Sequence, residues 1–277
     1  MTTLLIVLEK TKRFLADKGV PSARVDAEWL FAHVLNCKRL DLYLQYEKEL
    51  DESVLGRLRE LVKRRAQREP LQHIIGHCDF HGLRFKSDAR ALIPRPETEE
   101  LVALLCEHPQ PASILDLGTG TGAIALSLAK HFPHSDVLAI DKSREALSLA
   151  SENAAINGLE RVRFEPSDWF ESVRGTFDWI VANPPYLSEE EWLSAEPEVR
   201  SHDPQMALVA AHQGLADLAK IVTQARTFLN PNGLLALEMG IHHADALLEI
   251  ARPLYATAFI VNDLSRRPRF LLAKDPL

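Results

Sequence analysis

Asn183, Pro184, Pro185 and Tyr186 stand directly after the apolar run Phe177-Asp178-Trp179-Ile180-Val181-Ala182, where a buried strand would end. A residue that precedes proline is pushed toward extended backbone, and two successive prolines stiffen the chain and remove two amide donors. Acceptors are then left to face a ligand. The Asn183 side-chain oxygen and a neighbouring main-chain carbonyl can both accept from one planar NH2 group, with Tyr186 as an aromatic wall. Taken alone, the tetrapeptide is equally compatible with a Pro-Pro turn that merely ends a strand, so its context decides.

That context begins at Asp116-Leu117-Gly118-Thr119-Gly120-Thr121-Gly122. Glycines let a backbone approach a ligand closely and take positive φ. The spacing here is Gly-x-Gly-x-Gly, not the Gly-x-Gly-x-x-Gly of dinucleotide enzymes, and an acidic residue lies inside the preceding strand. Asp141 follows about twenty residues later, where a carboxylate can accept from both hydroxyls of a ribose; its bland alternative is helix capping. Asp168-Trp169 offers an acceptor and a ring beside an adenine, against the alternative of a buried core tryptophan.

The elements that would position these residues alternate. Strands are expected at 114–117, 137–140, 162–164 and 177–182, with helices at 123–131 and 144–157 between them. A helix at 215–229, a strand at 234–238 and a terminal strand pair at 259–261 and 270–272 follow. Such a rhythm predicts an α/β fold with a doubly wound, mainly parallel sheet that binds ligands at the carboxyl ends of its strands. Residues 1–75 instead read as a small helical bundle, and the short alternating pieces from Cys78 to Pro94 as a linking hairpin. The third helix of the bundle carries Arg57, Arg59, Lys63, Arg64, Arg65 and Arg68, a run expected to be a solvated face, with a docking patch as the alternative. His73, His77 and His81 are four apart, but Gly76 and Gly82 argue against one helix through them, and no cysteine pair completes a zinc set. No metal site is expected.

Composition narrows the class. The 277 residues are 46% hydrophobic and 26% charged, as in ordinary globular proteins. The first ten residues match neither a signal peptide nor a membrane span, and Cys37, Cys78 and Cys106 form no Cys-x-x-Cys, which fits a reducing cytoplasm. Residues 1–85 hold 15 Lys/Arg against 12 Asp/Glu, while the remainder holds 17 against 27. A net charge of −10 on the larger part disfavours a broad nucleic-acid footprint.

In this order, Asp116 to Gly122, Asp141, Asp168-Trp169 and Asn183 to Tyr186 resemble the seven-stranded S-adenosylmethionine-dependent methyltransferases that modify amide or exocyclic nitrogens. The chain is more closely similar to bacterial release factor glutamine methyltransferases. Ala23-Arg24-Val25-Asp26-Ala27-Glu28-Trp29-Leu30, Arg68-Glu69-Pro70-Leu71-Gln72, Ile93-Pro94-Arg95-Pro96-Glu97-Thr98-Glu99 and Leu237-Glu238-Met239-Gly240 carry that likeness. It implies a seven-stranded Rossmann-like sheet at 96–277, a helical recognition domain at 1–75 and a β-hairpin linker at 76–95. It further implies methylation, from S-adenosylmethionine, of the glutamine N5 amide in the Gly-Gly-Gln motif of class I release factors. Asn183, Pro184, Pro185 and Tyr186 would be catalytic. Asp116, Gly118, Thr119, Gly120, Thr121, Gly122, Asp141, Asp168, Trp169 and Asn183 would hold the cofactor. No stable nucleic-acid partner and no membrane are expected, and a monomer is the expected state.

Two stretches depart from the family pattern. Ala210-Ala211 replaces paired glycines, and Ser265-Arg266-Arg267-Pro268 replaces a glycine-containing turn, so the loop around 200–214 is the part least constrained by the likeness. The rivals are a DNA adenine or ribosomal RNA guanine methylase, which shares Asn-Pro-Pro-Tyr but needs a basic groove, a nicotinamide dehydrogenase, which the glycine spacing opposes, and a non-enzymatic binding module.

Overall fold

The structure, a computed structural model, describes residues 3–277. The chain packs into two compact units, the first comprising the chain up to Gly76 with Glu196–His202, the second His77–Ala195 with Asp203–Leu277.

In the first unit α1 (Leu4–Asp17) buries Leu4, Leu8, Thr11 and Leu15, a stripe at helical period. The second helix, α2 (Ala23–Leu35), is buried almost all round through Ala27, Leu30, Phe31 and Val34, and α3 (Glu52–Ala66) starts where Asp51 accepts from the Val54 N–H at 2.9 Å. A short α4 (Leu71–Ile75) ends at Gly76. The arginines of α3 do not form a uniformly solvated face. Arg57, Arg59 and Lys63 are exposed, but Arg65 is buried. Its Nε donates to Asp26 Oδ2 at 2.7 Å and its Nη2 to Glu198 Oε1 at 2.6 Å, while Arg68 Nε donates to the same Glu198 oxygen at 2.7 Å. Arg64 Nε donates to Glu69 Oε2 at 2.8 Å. Burial pushes the Asp26 carboxyl up even against Arg65. Burial also raises the Glu198 carboxyl, but Arg68 and Arg65 outweigh it and hold it low. A charge run reads as solvated from spacing alone because its partners lie 39 and 133 residues away.

The second unit opens with a hairpin, β1 (His77–Phe80) against β2 (Leu83–Lys86). Phe85 of β2 is fully buried in the core that α5 (Pro96–Cys106) and later elements share, worth roughly 1.5–3 kcal/mol for such a side chain. His73, His77 and His81 fall in a helix, a strand and a turn, and among the described residues no group of three or more His, Cys, Asp or Glu could hold a metal ion. Then follow β3 (Ser113–Leu117), α6 (Ala123–His131), β4 (Asp136–Asp141), α7 (Arg144–Asn157), β5 (Arg163–Pro166) and β6 (Phe177–Ala182). After α8 (Glu189–Ser194), and past α9 (Pro197–His202), which belongs to the first unit, come α10 (Ala216–Ala225), β7 (Leu229–Glu238), α11 (Ala244–Ala251), β8 (Tyr255–Asn262) and β9 (Pro268–Pro276).

The seven strands run in the order β5-β4-β3-β6-β7-β9-β8, parallel except that β9 is antiparallel to both neighbours. Because both faces are covered, the central strands are apolar on both sides; Leu115, Leu117, Ile180 and Ala182 on one face and Ile114, Trp179 and Val181 on the other are all buried. The strand order reverses between β3 and β6, which is where an open α/β sheet leaves a crevice. Their register pairs Leu117 with Ala182, so Gly118 and Asn183 leave the sheet side by side.

Candidate active site

A cavity of about 440 Å3 opens at that crevice, a size typical of small-molecule sites. Gly118, Thr119, Gly120, Thr121, Asp141, Asp168, Trp169, Asn183 and Pro185 all line it. Asp116, Gly122, Pro184 and Tyr186 do not.

The reasons are local. Asp116 is fully buried, and its Oδ2 accepts from Thr119 Oγ1 at 2.6 Å and from the Ala125 N–H at 3.1 Å. It braces the glycine turn from behind, and burial pushes its carboxyl up to about 7. Gly122, at φ +84°, starts α6, and a Cβ there would come within 3.2 Å of Ala150. Glycine is needed at that position for helix packing. Asp141 stands on the cavity wall while accepting from the Gly120 N–H at 2.9 Å and the Ser143 N–H at 2.8 Å. A carboxylate has room for about four hydrogen bonds, so two backbone donors leave capacity for a ligand. Helix capping of α7 falls to Ser143, whose Oγ accepts from the Ala146 N–H at 3.1 Å. Burial raises the Asp141 carboxyl, and the backbone donors offset part of that.

Asp168 lies two residues past β5, and Lys142 Nζ sits 2.5 Å from its Oδ2 with Lys220 at 3.8 Å. Lys142 holds that carboxyl below its usual range. Trp169 adopts φ +51°, its Nε1 donates to Asp217 Oδ1 at 3.0 Å, and its ring would touch a Cβ at Gly118 at 3.4 Å. The ring therefore covers the glycine turn and is not lost in the core. Lys142, Asp217 and Lys220 belong to the wall as well; Lys142 directly follows Asp141, while Asp217 and Lys220 carry no spacing that could mark them.

At the other end of the cavity, Asn183 Nδ2 donates to Thr98 Oγ1 at 2.9 Å, Thr98 Oγ1 donates to Glu238 Oε2 at 2.7 Å, and the Tyr186 hydroxyl donates to Glu238 Oε1 at 3.0 Å. Glu238 is completely buried, and burial pushes its carboxyl up to about 7. Tyr186 is pushed well above the usual phenol value, by burial first and by Glu238 second. With its NH2 engaged by Thr98, Asn183 turns its Oδ1 away from that hydroxyl. Neither Thr98 nor Glu238 follows from the tetrapeptide; the signals were the Arg-Pro-Glu-Thr-Glu stretch for Thr98 and Leu237-Glu238-Met239-Gly240 for Glu238. The first of these stretches is tied in at several points. Arg95 Nη2 donates to Asp203 Oδ2 at 2.6 Å, Pro96 starts α5, Glu97 pairs with Arg267 at 3.3 Å, and Glu99 Oε1 accepts from the His81 N–H at 2.8 Å.

The loop that departs from the family pattern closes the site's rim through Pro204, Met206, Ala207 and Val209. Positive φ falls not on Ala210 or Ala211 but on His212 (54°), Gln213 (56°) and Gly214 (82°). A Cβ on Gly214 would lie 2.0 Å from the Tyr186 carbonyl oxygen. At the other departure, Arg266 takes φ +62° in the turn before β9.

Comparison with known proteins gives matches along most of the chain. A family described as the PrmC N-terminal domain matches residues 7–76, and one described as the methyltransferase small domain matches residues 97–196. A release factor glutamine methyltransferase of Deinococcus radiodurans is 43% identical over 263 residues, 94% of each chain. One of Geobacter sulfurreducens is 40% identical over 263 residues, 94% of this chain and 93% of its own. Among solved structures, a methyltransferase of Pyrococcus furiosus superposes with a TM-score of 0.54 at 20% identity, over 70% of this chain and 89% of that one, a likeness of fold.

Proposed function

Because the chain belongs to the release factor glutamine methyltransferase family, we propose that it methylates the N5 side-chain amide of the glutamine in the Gly-Gly-Gln motif of a class I peptide chain release factor. The observation that carries the chemistry is the orientation of Asn183, whose amide nitrogen is engaged by Thr98 so that its oxygen is left as an acceptor.

An amide nitrogen is a poor nucleophile because its lone pair is delocalised into the carbonyl. Acceptors on its two hydrogens localise that pair and stabilise the positive charge that develops on nitrogen as it is alkylated. Asn183 Oδ1 is one acceptor and the Pro184 carbonyl the proposed second; neither Pro184 nor Pro185 has an N–H to compete. Fixing the amide against the donor can supply about 7–11 kcal/mol through orientation. S-adenosylmethionine, when bound, supplies the electrophilic methyl group. The residues present fit that molecule: a glycine turn under Trp169, the Asp141 carboxylate on the wall for ribose hydroxyls, and Asp168 beside the ring for a polar base edge. Gly118 to Thr121 bring backbone close to the ligand, and the ring of Trp169 excludes water from it.

A glutamine amide occurs throughout the proteome, so selectivity should arise away from the reacting atom, and the helical unit is the proposed recognition surface. The site of action would be the cytoplasm, where release factors work; no helix among the described residues is long and apolar enough to cross a membrane. Mass spectrometry of a release factor incubated with the protein and S-adenosylmethionine is the direct test. A gain of about 14 Da, the mass of one CH2, confined to the Gly-Gly-Gln peptide is expected. A gain on DNA or RNA with none on that peptide would replace the reading with a nucleic-acid methylase, against the net charge of −10 on residues 86–277.

A further inference from the structure

The hydroxyl of Thr98 stands between Asn183 and Glu238, 2.9 Å from the one and 2.7 Å from the other. It has one proton to give and lone pairs to accept with, which makes it a device with two settings. When Glu238 is ionised, its oxygen can only accept, so the Thr98 proton goes to Glu238. The Thr98 oxygen is then left to accept from Asn183, and the amide must present its NH2 to Thr98 and its Oδ1 the other way. When Glu238 carries a proton, it can donate to Thr98. The Thr98 proton is then free for Asn183 Oδ1, and an amide turned by half a rotation keeps its hydrogen bond while aiming NH2 away from Thr98. The first setting offers the incoming amide an acceptor, and the second offers it a donor.

We propose that Thr98 and Glu238 are positioning residues that fix the amide orientation of Asn183, and that the charge on Glu238 selects between the gripping and the non-gripping orientation. The inference rests on the gripping role given above to the Asn183 oxygen. Its basis is the hydrogen-bond chain, which runs from α5 through the end of β6 to the last residue of β7. Four groups bear on Glu238 from the elements around it. Tyr186 donates to its Oε1 at 3.0 Å. Arg269 of β9 draws the carboxyl toward ionisation, and Glu97 of α5 opposes it. Asp263 neutralises Arg269 in part, at 3.5 Å from its Nε, while also pairing with Arg267 at 2.9 Å. Burial dominates, and the carboxyl titrates at about 7. The acceptor is therefore set on the alkaline side and withdrawn on the acid side. The half-buried Tyr186 keeps its hydroxyl on Glu238 in either setting, because the oxygen it meets accepts in both. Only the Thr98 side of the carboxyl carries the information.

The test reads the orientation directly and needs no substrate. In full-length protein labelled with 15N, the side-chain NH2 signals of Asn183, assigned by their loss in Asn183→Ala, are followed from about pH 5.5 to 8.5, a range that brackets the titration of the buried carboxyl. A single pH step is expected in wild type and in Thr98→Ser, which keeps the hydroxyl, and no step in Thr98→Val or Glu238→Gln. Turnover on a release factor should fall about tenfold or more in Thr98→Val, with S-adenosylmethionine affinity unchanged within about twofold, as expected for a group acting only on the transition state. Thr98→Ser should recover most of it. Glu238→Gln should lose the acid limb of the pH profile. A wild-type Asn183 signal without a pH step overturns the inference, and so do Thr98→Val and Glu238→Gln variants whose turnover and pH profile match wild type. A wild-type protein that leaves every release factor unmethylated strikes instead at the functional reading, and the amide signal then still decides the relay.

Discussion

Replacing Arg65 by methionine is expected to destabilise the helical unit by about 3–5 kcal/mol, the usual cost of breaking a buried ion pair from one side. The side chains of Arg65 and Asp26 are 6% and 7% exposed. Methionine fills much of the same volume, so packing loss is small and the electrostatic term remains. Glu198 would keep Arg68, which donates to it at 2.7 and 2.5 Å. Asp26 would keep no guanidinium, and its carboxyl is already pushed up by burial with Arg65 in place. The loss therefore concentrates on Asp26, and adding Asp26→Asn to Arg65→Met should restore at least half of it, because both charges then leave together. Hydrogen exchange of the peptides covering 23–35 and 52–66, read by mass spectrometry against urea concentration, reports on this unit alone. An exposed pair would be worth under about 1 kcal/mol. A loss that small in Arg65→Met, or a double variant no more stable than the single, would refute the buried-cluster account and return Arg65 to the surface.

Asp141→Ala should weaken S-adenosylmethionine binding by about 1–3 kcal/mol through loss of a charged acceptor, and unaltered affinity in calorimetry would leave Asp141 only its hydrogen bonds to Gly120 and Ser143. Gly214→Ala places a Cβ 2.0 Å from the Tyr186 carbonyl at φ +82°; it should displace Asn183 to Tyr186 and cut turnover by on the order of a hundredfold, as misplacement of about 1 Å does, while wild-type turnover would show that the loop yields instead. In the helical unit, Lys10, Lys18 and Lys63 line a shallow groove together with Val7, Val62 and the exposed Phe14. If this unit docks the release factor there, Lys10→Glu with Lys63→Glu should raise the Michaelis constant several-fold at low salt, and the difference should shrink as screening shortens toward about 8 Å near physiological ionic strength. Stability should also respond to pH in an unusual direction. Asp116 and Glu238 hold their protons up to about 7 in the folded state, while unfolded carboxyls release theirs near 4. Between those values the folded state binds more protons, so stability falls as pH rises, by up to about 1.4 kcal/mol per unit for each group. Carboxyls that partners hold low, such as Glu69 beside Arg64, lose their contribution only as pH falls below about 4. Melting temperature should therefore peak at about pH 4, where the two trends meet, and a steady climb from 5 to 8 would contradict it.

Much of this molecule is legible along the chain because its chemistry is delivered by strand ends. A buried strand followed by glycines, as at Asp116 to Gly122, or by Asn-Pro-Pro, as at Asn183, announces both the element and the edge at which it stops. Helices 123–131 and 144–157 were readable to the residue, since glycine and serine mark their starts and the apolar period does the rest. The likeness to release factor glutamine methyltransferases was carried by the same local runs.

Tertiary structure alone decided how those ends meet. Which strands become neighbours depends on the order β5-β4-β3-β6-β7, and that order places Asn183 beside the glycine turn 65 residues earlier. Local patterns cannot report it, because periodicity is a property of one segment and register a property of two. The same limit hid the fate of Arg65, whose partners are distant in sequence and whose burial no charge count reveals. It also hid the division of labour among the predicted site residues. Asp116 and Asp141 are both aspartates at strand ends, but one is sealed behind the turn and the other faces the cavity. Thr98 and Glu238, 140 residues apart, became one hydrogen-bond chain with Asn183 only when α5 and β7 were folded against β6, since a buried carboxylate is satisfied by whatever donors the packing brings within reach.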